Sequence, residues 1–180
     1  YEPVQGTLER EITAVVYDSR KVIPGCLFIC INGANFDGHD FAAQVAAQGA
    51  GVLVVQKDIE LPADADVTVI KVADTRYAMA FISAAWFGHP AEKLKVIGIT
   101  GTKGKSTTAY YVRSILNDWL TSEGKPPCAI LSSIDNYDGV ITEESHITTP
   151  EVLELYQHFQ NAYDSGISHL VMEVSSQALK

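Results

Sequence analysis

The stretch 96-VIGITGTKGKSTTAYYVRSIL-116 joins three kinds of sequence. Residues 96–100 form a short apolar run, residues 100–107 are mostly small and polar, and an amphipathic pattern continues to about residue 120. Glycines allow backbone N–H groups to close around an anion, and the start of a helix adds a favourable dipole. The stretch therefore predicts a strand, a phosphate-binding loop and a helix, in that order.

The residues of this loop match the chemistry of phosphate binding. A lysine here reaches the β- and γ-phosphates and the next hydroxyl is a ligand for Mg²⁺, roles that fall to Lys105 and Ser106. The common pattern G-x-x-x-x-G-K-[ST] has glycine where this chain has Ile99, so the loop differs from the most frequent type. The alternative interpretation is an ordinary strand-to-helix turn. The predicted phosphate-loop residues are Thr100, Gly101, Thr102, Lys103, Gly104, Lys105, Ser106 and Thr107.

The composition is that of a soluble globular protein with one or two domains. The 180 residues are 47% hydrophobic and carry a formal net charge of −9. A nucleic-acid partner is not expected, because phosphate backbones recruit dense basic surfaces and only 13 Lys and Arg residues are present. No apolar run approaches the roughly 20 residues that cross a bilayer, and the amino terminus lacks a secretion pattern. We therefore expect a cytoplasmic protein without a membrane partner.

Strand and helix patterns alternate along the chain, which predicts an α/β fold with mainly parallel sheets. A polar, punctuated segment at residues 88–94 predicts a boundary between a small α/β domain, 1–90, and a phosphate-loop domain, 94–180. The three cysteines are expected to be buried, reduced and structural. Strands are predicted at 11–19, 26–31, 51–55, 66–72, 96–100, 128–133 and 169–174, helices at 39–48, 75–87, 105–120 and 150–165, and a hairpin through 137–142.

Glu173 is an acidic residue in the otherwise apolar strand 169-HLVMEV-174. Ligands of open parallel sheets bind outside the carboxyl ends of the strands, which places this carboxylate beside the phosphate loop. There it can bind Mg²⁺ together with Ser106. The alternative is an edge-exposed glutamate in a salt bridge.

The loop 98-GITGTKGKSTT-108 closely resembles the T-G-T-x-G-K-[ST] loop of the Mur ligases and of the related folylpolyglutamate synthases. The resemblance implies that the loop binds ATP, with Lys105 and Glu173 as catalytic residues. Both groups use ATP to join a carboxylate to an amine through an acyl-phosphate, so the loop alone does not separate them.

Further segments resemble the Mur ligase branch that adds the third amino acid of the peptidoglycan stem peptide. Residues 16–55 are similar to its amino-terminal domain, which holds the uridine end of the substrate and which folylpolyglutamate synthases lack. Segments 146-HITTPE-151 and 172-MEVSSQAL-179 resemble two motifs of its central domain. The implied reaction joins UDP-N-acetylmuramoyl-L-alanyl-D-glutamate to L-lysine or meso-diaminopimelate.

The same resemblance implies contacts to the muramoyl-dipeptide substrate. The predicted substrate residues are Ser19, His39, Thr148, Thr149 and Ser175. Some of them have a structural alternative: Ser19 can stabilise a polar turn, His39 or Asp40 can cap the next helix, and Thr148 with Glu151 can form a capping box.

Full-length members of this branch continue past these motifs, so the chain is expected to be a fragment that is inactive by itself. We also expect it to be a monomer. The alternatives are a folylpolyglutamate-synthase-like ligase, a non-catalytic nucleotide-binding module, and an ATPase or GTPase of another phosphate-loop family.

Overall fold

A computed structural model describes residues 1–33 and 36–178, and the chain divides into two units, Tyr1–Ile82 and Ser83–Lys180. The division falls a few residues before the polar segment at 88–94, and the domain limits expected from the sequence stay a prediction. In the part of the chain that is described, no helix combines the length and the apolar character needed to cross a membrane.

Unit 1 is built on a five-stranded sheet with the order β1-β5-β4-β3-β2. The four strands β2 to β5 are parallel, which confirms the predicted architecture, and β1 pairs with β5 antiparallel. All residues of β1 are exposed, so this edge strand has no buried face to reveal it in the sequence. The elements are β1 (Glu2–Gln5), β2 (Val15–Val16), β3 (Leu27–Ile29), α1 (Ala42–Ala47), β4 (Val52–Val55), β5 (Thr68–Lys71) and α2 (Thr75–Trp86), whose last four residues fall in unit 2.

The core of unit 1 lies around β3 and β4. All four residues of β4 are buried, as expected for a parallel strand that is covered on both faces. Cys26 and Cys30 are buried free thiols, as predicted, and burial raises the pKa of Cys30 to about 12. These thiols therefore contribute packing and little nucleophilic reactivity.

Aspartates begin two helical segments of unit 1. The sequence predicts Asp74 as the N-cap of the helix at 75–87. Its carboxylate accepts hydrogen bonds from the backbone N–H groups of Arg76 and Tyr77 at the start of α2, which confirms this cap. A 3-10 helix, Gly38–Phe41, begins at Asp37, whose carboxylate accepts from the His39 N–H at 3.0 Å. The prediction that His39 or Asp40 caps this segment is wrong, because Asp37 has the extended backbone that a cap requires.

Unit 2 contains a second five-stranded sheet, with the order β6-β10-β7-β8-β9. Strands β6, β10 and β7 are parallel, and β8 and β9 form the predicted antiparallel hairpin. The elements are β6 (Lys95–Ile99), α3 (Lys105–Ser122), β7 (Ala129–Leu131), β8 (Asp135–Tyr137), β9 (Thr142–Glu144), α4 (Val152–Asp164) and β10 (His169–Glu173).

Helices cover both faces of this sheet. Since successive residues of a strand point to opposite sides, a single strand contacts both helix layers. On β10, Leu170 and Met172 belong to the core cluster of α4, and Val171 belongs to that of α3. The sequence pattern predicts one apolar face of α3 formed by Val112, Ile115, Leu116, Trp119 and Leu120. Leu120 is fully buried, whereas Ile115 is 70% and Trp119 43% exposed. The apolar face is therefore narrower than predicted.

Helix α4 begins later than the sequence predicts. Its N-cap is Glu151, with no side-chain hydrogen bond at the cap, so the predicted capping box between Thr148 and Glu151 does not form. Thr149 instead bonds to the end of β10.

Asp138 connects the β8–β9 hairpin to α4 through a buried carboxylate. Oδ1 accepts from the backbone N–H groups of Val140 and Ile141, at 2.9 and 2.6 Å. Oδ2 accepts from His158 Nδ1 at 2.7 Å and from Asn161 Nδ2 at 2.8 Å. Burial acts to raise the pKa of Asp138, but the hydrogen bonds outweigh it and the pKa is lowered.

We expect Asp138→Asn to lower the free energy of unfolding by about 2 to 4 kcal/mol at pH 7, because an amide cannot accept all four hydrogen bonds. Since the folded pKa of Asp138 lies below the unfolded value, its contribution is present at neutral pH and is lost as the pH falls below about 4. Urea unfolding between pH 7 and pH 3 measures both effects. Asp164→Asn, at the exposed end of α4, should change stability by only about 0.5 kcal/mol or less. Equal losses in the two variants would contradict this role of Asp138.

Candidate functional site

The loop between β6 and α3 has the backbone of an anion-binding turn. Gly104, with φ of 78°, is the N-cap of α3, and a Cβ at this position would meet no atom within 4 Å. Glycine is therefore favoured here by its left-handed conformation and not by crowding. A glycine cap has no side chain to occupy the first N–H groups of α3, which leaves them to an anion.

The two predicted phosphate and metal residues follow this cap directly. Lys105 Nζ donates to the Gly101 carbonyl at 3.0 Å, so the ammonium group folds back over the loop. Ser106 Oγ donates to Glu173 Oε2 at 3.1 Å. The remaining predicted loop residues are exposed, namely Thr100, Gly101, Thr102, Lys103 and Thr107.

Glu173 ends β10 opposite Ile99 of β6 and is only 1% exposed. Its Oε1 accepts from both the backbone N–H and the hydroxyl of Ser133, at 2.9 and 3.1 Å. No basic side chain of the described residues pairs with this carboxylate, so an edge-exposed glutamate in a salt bridge is not what the structure contains. The charge is balanced by hydroxyl and N–H donors alone.

Ser133 was not identified from the sequence as a site residue. It follows β7, a parallel neighbour of β10, and its hydroxyl also lies 3.1 Å from Ser106 Oγ. The sequence feature that could have identified Ser133 is the pair of serines that ends the apolar run 128-CAILSS-133, at the carboxyl end of a strand.

These side chains fit a hard divalent cation. Mg²⁺ takes oxygen ligands and is commonly bound by one or two carboxylates together with phosphate groups and water. Glu173 and Ser106 supply a carboxylate and a hydroxyl in mutual contact. Within the described ranges, no group of three or more His, Cys, Asp or Glu side chains could hold a metal ion. A cation here would therefore need the hydroxyl group and ligands from a bound phosphate.

The predicted substrate residues of unit 2 lie at the same edge of the sheet. Thr149 Oγ1 donates to the Glu173 carbonyl and accepts from the Ser175 N–H, both at 3.0 Å. Ser175 Oγ accepts from the Ala178 N–H at 3.2 Å. The Thr148 hydroxyl forms no hydrogen bond with a described residue. Their contacts to a substrate stay a prediction.

Ser19 of unit 1 follows β2 and begins a 3-10 helix, Ser19–Lys21. Asp18 stabilises this turn, because its carboxylate accepts from the Arg20 backbone N–H and pairs with the Arg20 guanidinium at 2.7 Å. These bonds, chiefly the side-chain bond from Arg20, lower the pKa of Asp18 to about 2. The Ser19 hydroxyl bonds to none of the described residues, so it can bind a ligand.

His39 has a different environment. The residue is 5% exposed, and its two ring nitrogens contact Asp37 Oδ1 at 2.5 Å and the Gln56 N–H at 3.0 Å. Nδ1 therefore carries the proton and Nε2 accepts. Lys57 Nζ binds the other Asp37 oxygen at 2.7 Å. The ring serves the protein's own network in this structure, and a substrate contact by His39 stays a prediction.

Comparison with known proteins agrees with this geometry. A model described as the Mur ligase family catalytic domain matches residues 11–87, and a model of the Mur ligase middle domain matches residues 99–180. The chain belongs to the Mur ligase family.

Relatives and solved structures agree with the assignment. The UDP-N-acetylmuramoyl-L-alanyl-D-glutamate--2,6-diaminopimelate ligase of Clostridium perfringens is 41% identical over 100% of this chain and 36% of the relative. Ligase 1 of that name from Clostridium acetobutylicum is 44% identical over 99% of this chain and 36% of its own length. A solved structure of a 2,6-diaminopimelate ligase shares the fold, with a TM-score of 0.68, 22% identity, and coverage of 93% of this chain and 33% of its own. The chain thus spans about a third of the length of these proteins.

We expect Glu173→Gln and Glu173→Ala to differ in stability. In the glutamine variant Oε1 can still accept from Ser133, and the amide can donate to the Ser106 hydroxyl, so the loss should be about 1 kcal/mol or less. Alanine leaves the Ser133 N–H unpaired beside a cavity, which should cost about 2 to 4 kcal/mol. Urea unfolding of the 180-residue chain measures both. Equal losses would show that the hydrogen bonds to Oε1 do not stabilise the fold.

Proposed function

We propose that the chain is part of an ATP-dependent ligase of peptidoglycan precursor synthesis, which adds the third amino acid to UDP-N-acetylmuramoyl-L-alanyl-D-glutamate. The observation that carries the proposal is the buried Glu173 carboxylate bonded to Ser106 at the start of the phosphate-loop helix. The proposal concerns the whole protein, since the chain spans 36% of a relative with this activity in its name.

In this proposal the loop 100–107 binds the phosphates of ATP. Lys105 exchanges its bond to the Gly101 carbonyl for the β- and γ-phosphates, and the N–H groups at the start of α3 bind phosphate oxygens. Ser106 and Glu173 would hold Mg²⁺, which supplies neutralisation of the phosphate charge. Ser133 holds the Glu173 carboxylate in a single orientation through two donors. The protein thus contributes positioning and electrostatic stabilisation.

The reaction that the resemblance implies begins at the γ-carboxylate of the D-glutamyl residue. A carboxylate oxygen attacks the γ-phosphorus of ATP, ADP leaves, and an acyl-phosphate forms. The amine of the incoming amino acid then attacks the acyl carbon, and inorganic phosphate leaves with formation of the amide bond. Lys105 stabilises the negative charge on the transferred group during the first step.

Unit 1 would hold the uridine end of the substrate. The polar residues Ser19, Asp37 and Gln56 follow β2, β3 and β4 at the carboxyl edge of its sheet, where ligands of such sheets bind. Among the two predicted contacts, the unbonded hydroxyl of Ser19 is the better supported, because both His39 nitrogens are engaged within the protein.

The relatives favour this branch over the folylpolyglutamate synthases. The names of the two Clostridium relatives specify 2,6-diaminopimelate, which supports that amino acid over L-lysine. The monomeric state and the cytoplasmic location stay predictions from the sequence.

We expect Lys105→Ala to fold normally and to bind MgADP at least tenfold more weakly, because it removes the charge that meets the phosphates. In the whole ligase, ligation should fall below about a tenth of the wild-type rate. Calorimetric titration and a phosphate-release assay measure the two effects. Lys125→Ala removes a lysine elsewhere in unit 2 and should leave both unchanged. Wild-type MgADP affinity in Lys105→Ala would refute the assignment.

We expect Ser19→Ala to weaken binding of a UDP-sugar to the chain by about 3- to 10-fold, the loss of one hydrogen bond. Amide chemical shifts during titration give the affinity and map the site. Thr7→Ala, which also removes a hydroxyl from an exposed residue of unit 1, should leave binding unchanged. Shifts remote from Ser19 would argue against a uridine site at this edge.

A further inference from the structure

Tyr110 lies on α3 four residues after Ser106, so the two side chains lie on the same face of the helix. Its hydroxyl donates a hydrogen bond to the Asp135 carboxylate at the start of β8. Its ring packs against the core cluster that contains Ile130 and Val171. The helix that follows the phosphate loop is therefore joined to the segment between β7 and β8, one turn beyond Ser106.

Asp135 ends a four-residue turn, 132–135, that Ser132 closes. The buried Ser132 hydroxyl donates to the Asp135 carbonyl at 2.9 Å and accepts from the N–H groups of Ile134 and Asp135, both at 3.1 Å. The Ser132 N–H also donates to the Asp135 carbonyl, at 3.1 Å. Because these bonds make the turn one compact unit, a bond that holds Asp135 in place also holds the other residues of the turn.

Ser133 is the second residue of this turn and reaches the proposed metal site. Its N–H and its hydroxyl donate to Glu173 Oε1, at 2.9 and 3.1 Å. The hydroxyl also lies 3.1 Å from Ser106 Oγ. Ser133 is itself an exposed residue, so close packing around it does not fix its position. Its position relative to Ser106 therefore depends on the bonds within the turn and on the bond between Tyr110 and Asp135.

We propose that Tyr110 and Asp135 form a positioning pair for the Mg²⁺-nucleotide site, acting through the turn that carries Ser133. This inference rests on the proposed function, in which Glu173 and Ser106 hold the cation. Because Tyr110 and Ser106 belong to one helix, the pair keeps the donors of Ser133 close to the Ser106 hydroxyl. The Glu173 carboxylate, which is held between these two serines, then keeps one orientation toward the cation.

The variants for the test separate the hydrogen bond from the charge. Tyr110→Phe keeps the ring in the core and removes the bond, and Asp135→Ala removes the same bond from the other side. Asp135→Asn removes the charge but keeps an oxygen that can accept from Tyr110. Tyr111→Phe is the matched control on α3, because Tyr111 is 69% exposed and its hydroxyl forms no hydrogen bond with a described residue. Circular dichroism and thermal unfolding establish that each variant is folded.

The first measurement is amide hydrogen exchange of the 180-residue chain without nucleotide. We expect Tyr110→Phe and Asp135→Ala to speed exchange of the Ser133 N–H at least about fivefold, because the turn opens more often when α3 no longer holds it. Amides of β10 should keep their wild-type rates. Asp135→Asn and Tyr111→Phe should match the wild type throughout.

The second measurement is calorimetric titration with ADP, once with EDTA and once over a range of Mg²⁺ concentrations. We expect Tyr110→Phe and Asp135→Ala to raise the MgADP dissociation constant about 3- to 10-fold, the effect of one hydrogen bond, and to leave ADP binding in EDTA unchanged. The double variant should bind no more weakly than either single variant, because both remove the same bond. Asp135→Asn should stay within about twofold of the wild type, since it keeps that bond.

Other outcomes identify which idea fails. Unchanged exchange of the Ser133 N–H in Tyr110→Phe would overturn the positioning role, and so would equal losses of ADP affinity with Mg²⁺ and with EDTA, which indicate a general effect on α3. Asp135→Asn as weak as Asp135→Ala would also overturn it, because the charge and not the bond would then act on the cation. Failure of the wild-type chain to bind MgADP would count against the proposed function, while the exchange rates would still decide whether the pair holds Ser133.

Discussion

The burial of the Glu173 carboxylate is the constraint on which the organisation of unit 2 depends. A charged group removed from water is costly unless it is paired or hydrogen-bonded. Here the donors come from Ser106 on α3 and from Ser133 after β7. The carboxylate is therefore tolerated only when the ends of three parallel strands, with the loops that follow them, are assembled in register.

Two buried carboxylates in this unit differ in the type of donor that binds them, and only one of them suits the proposed metal site. Asp138 accepts from two backbone N–H groups, an imidazole and an amide, and these groups cannot turn a lone pair toward a cation. Two of the donors to Glu173 are serine hydroxyls, which can rotate and accept or coordinate. The first environment is closed, whereas the second can exchange its hydrogen bonds for a metal ion.

Unit 1 shows the same contrast between a closed hydrogen-bond network and an available hydroxyl, at the carboxyl edge of its own sheet. His39 and Asp37 satisfy each other and bind Gln56 and Lys57, which ties the segment after β3 to the segment after β4. Ser19, after β2, keeps a hydroxyl that bonds to no described residue. A histidine in a recognisable motif can thus be structural, while Ser19, which follows another strand of the same sheet, has a hydroxyl that is available to a ligand.

The sequence by itself determined the parts of the protein that depend on neighbouring residues. The α/β pattern, the Asp74 cap and the loop with Lys105 and Ser106 were all predictable, because strand, turn and helix propensities act over a few positions. The tertiary structure alone decided the partners of Glu173, the exposure of Ile115 and the bonds of Thr149. These depend on strand order and register, which bring together residues 24 to 67 positions apart, a separation over which local pattern carries no information.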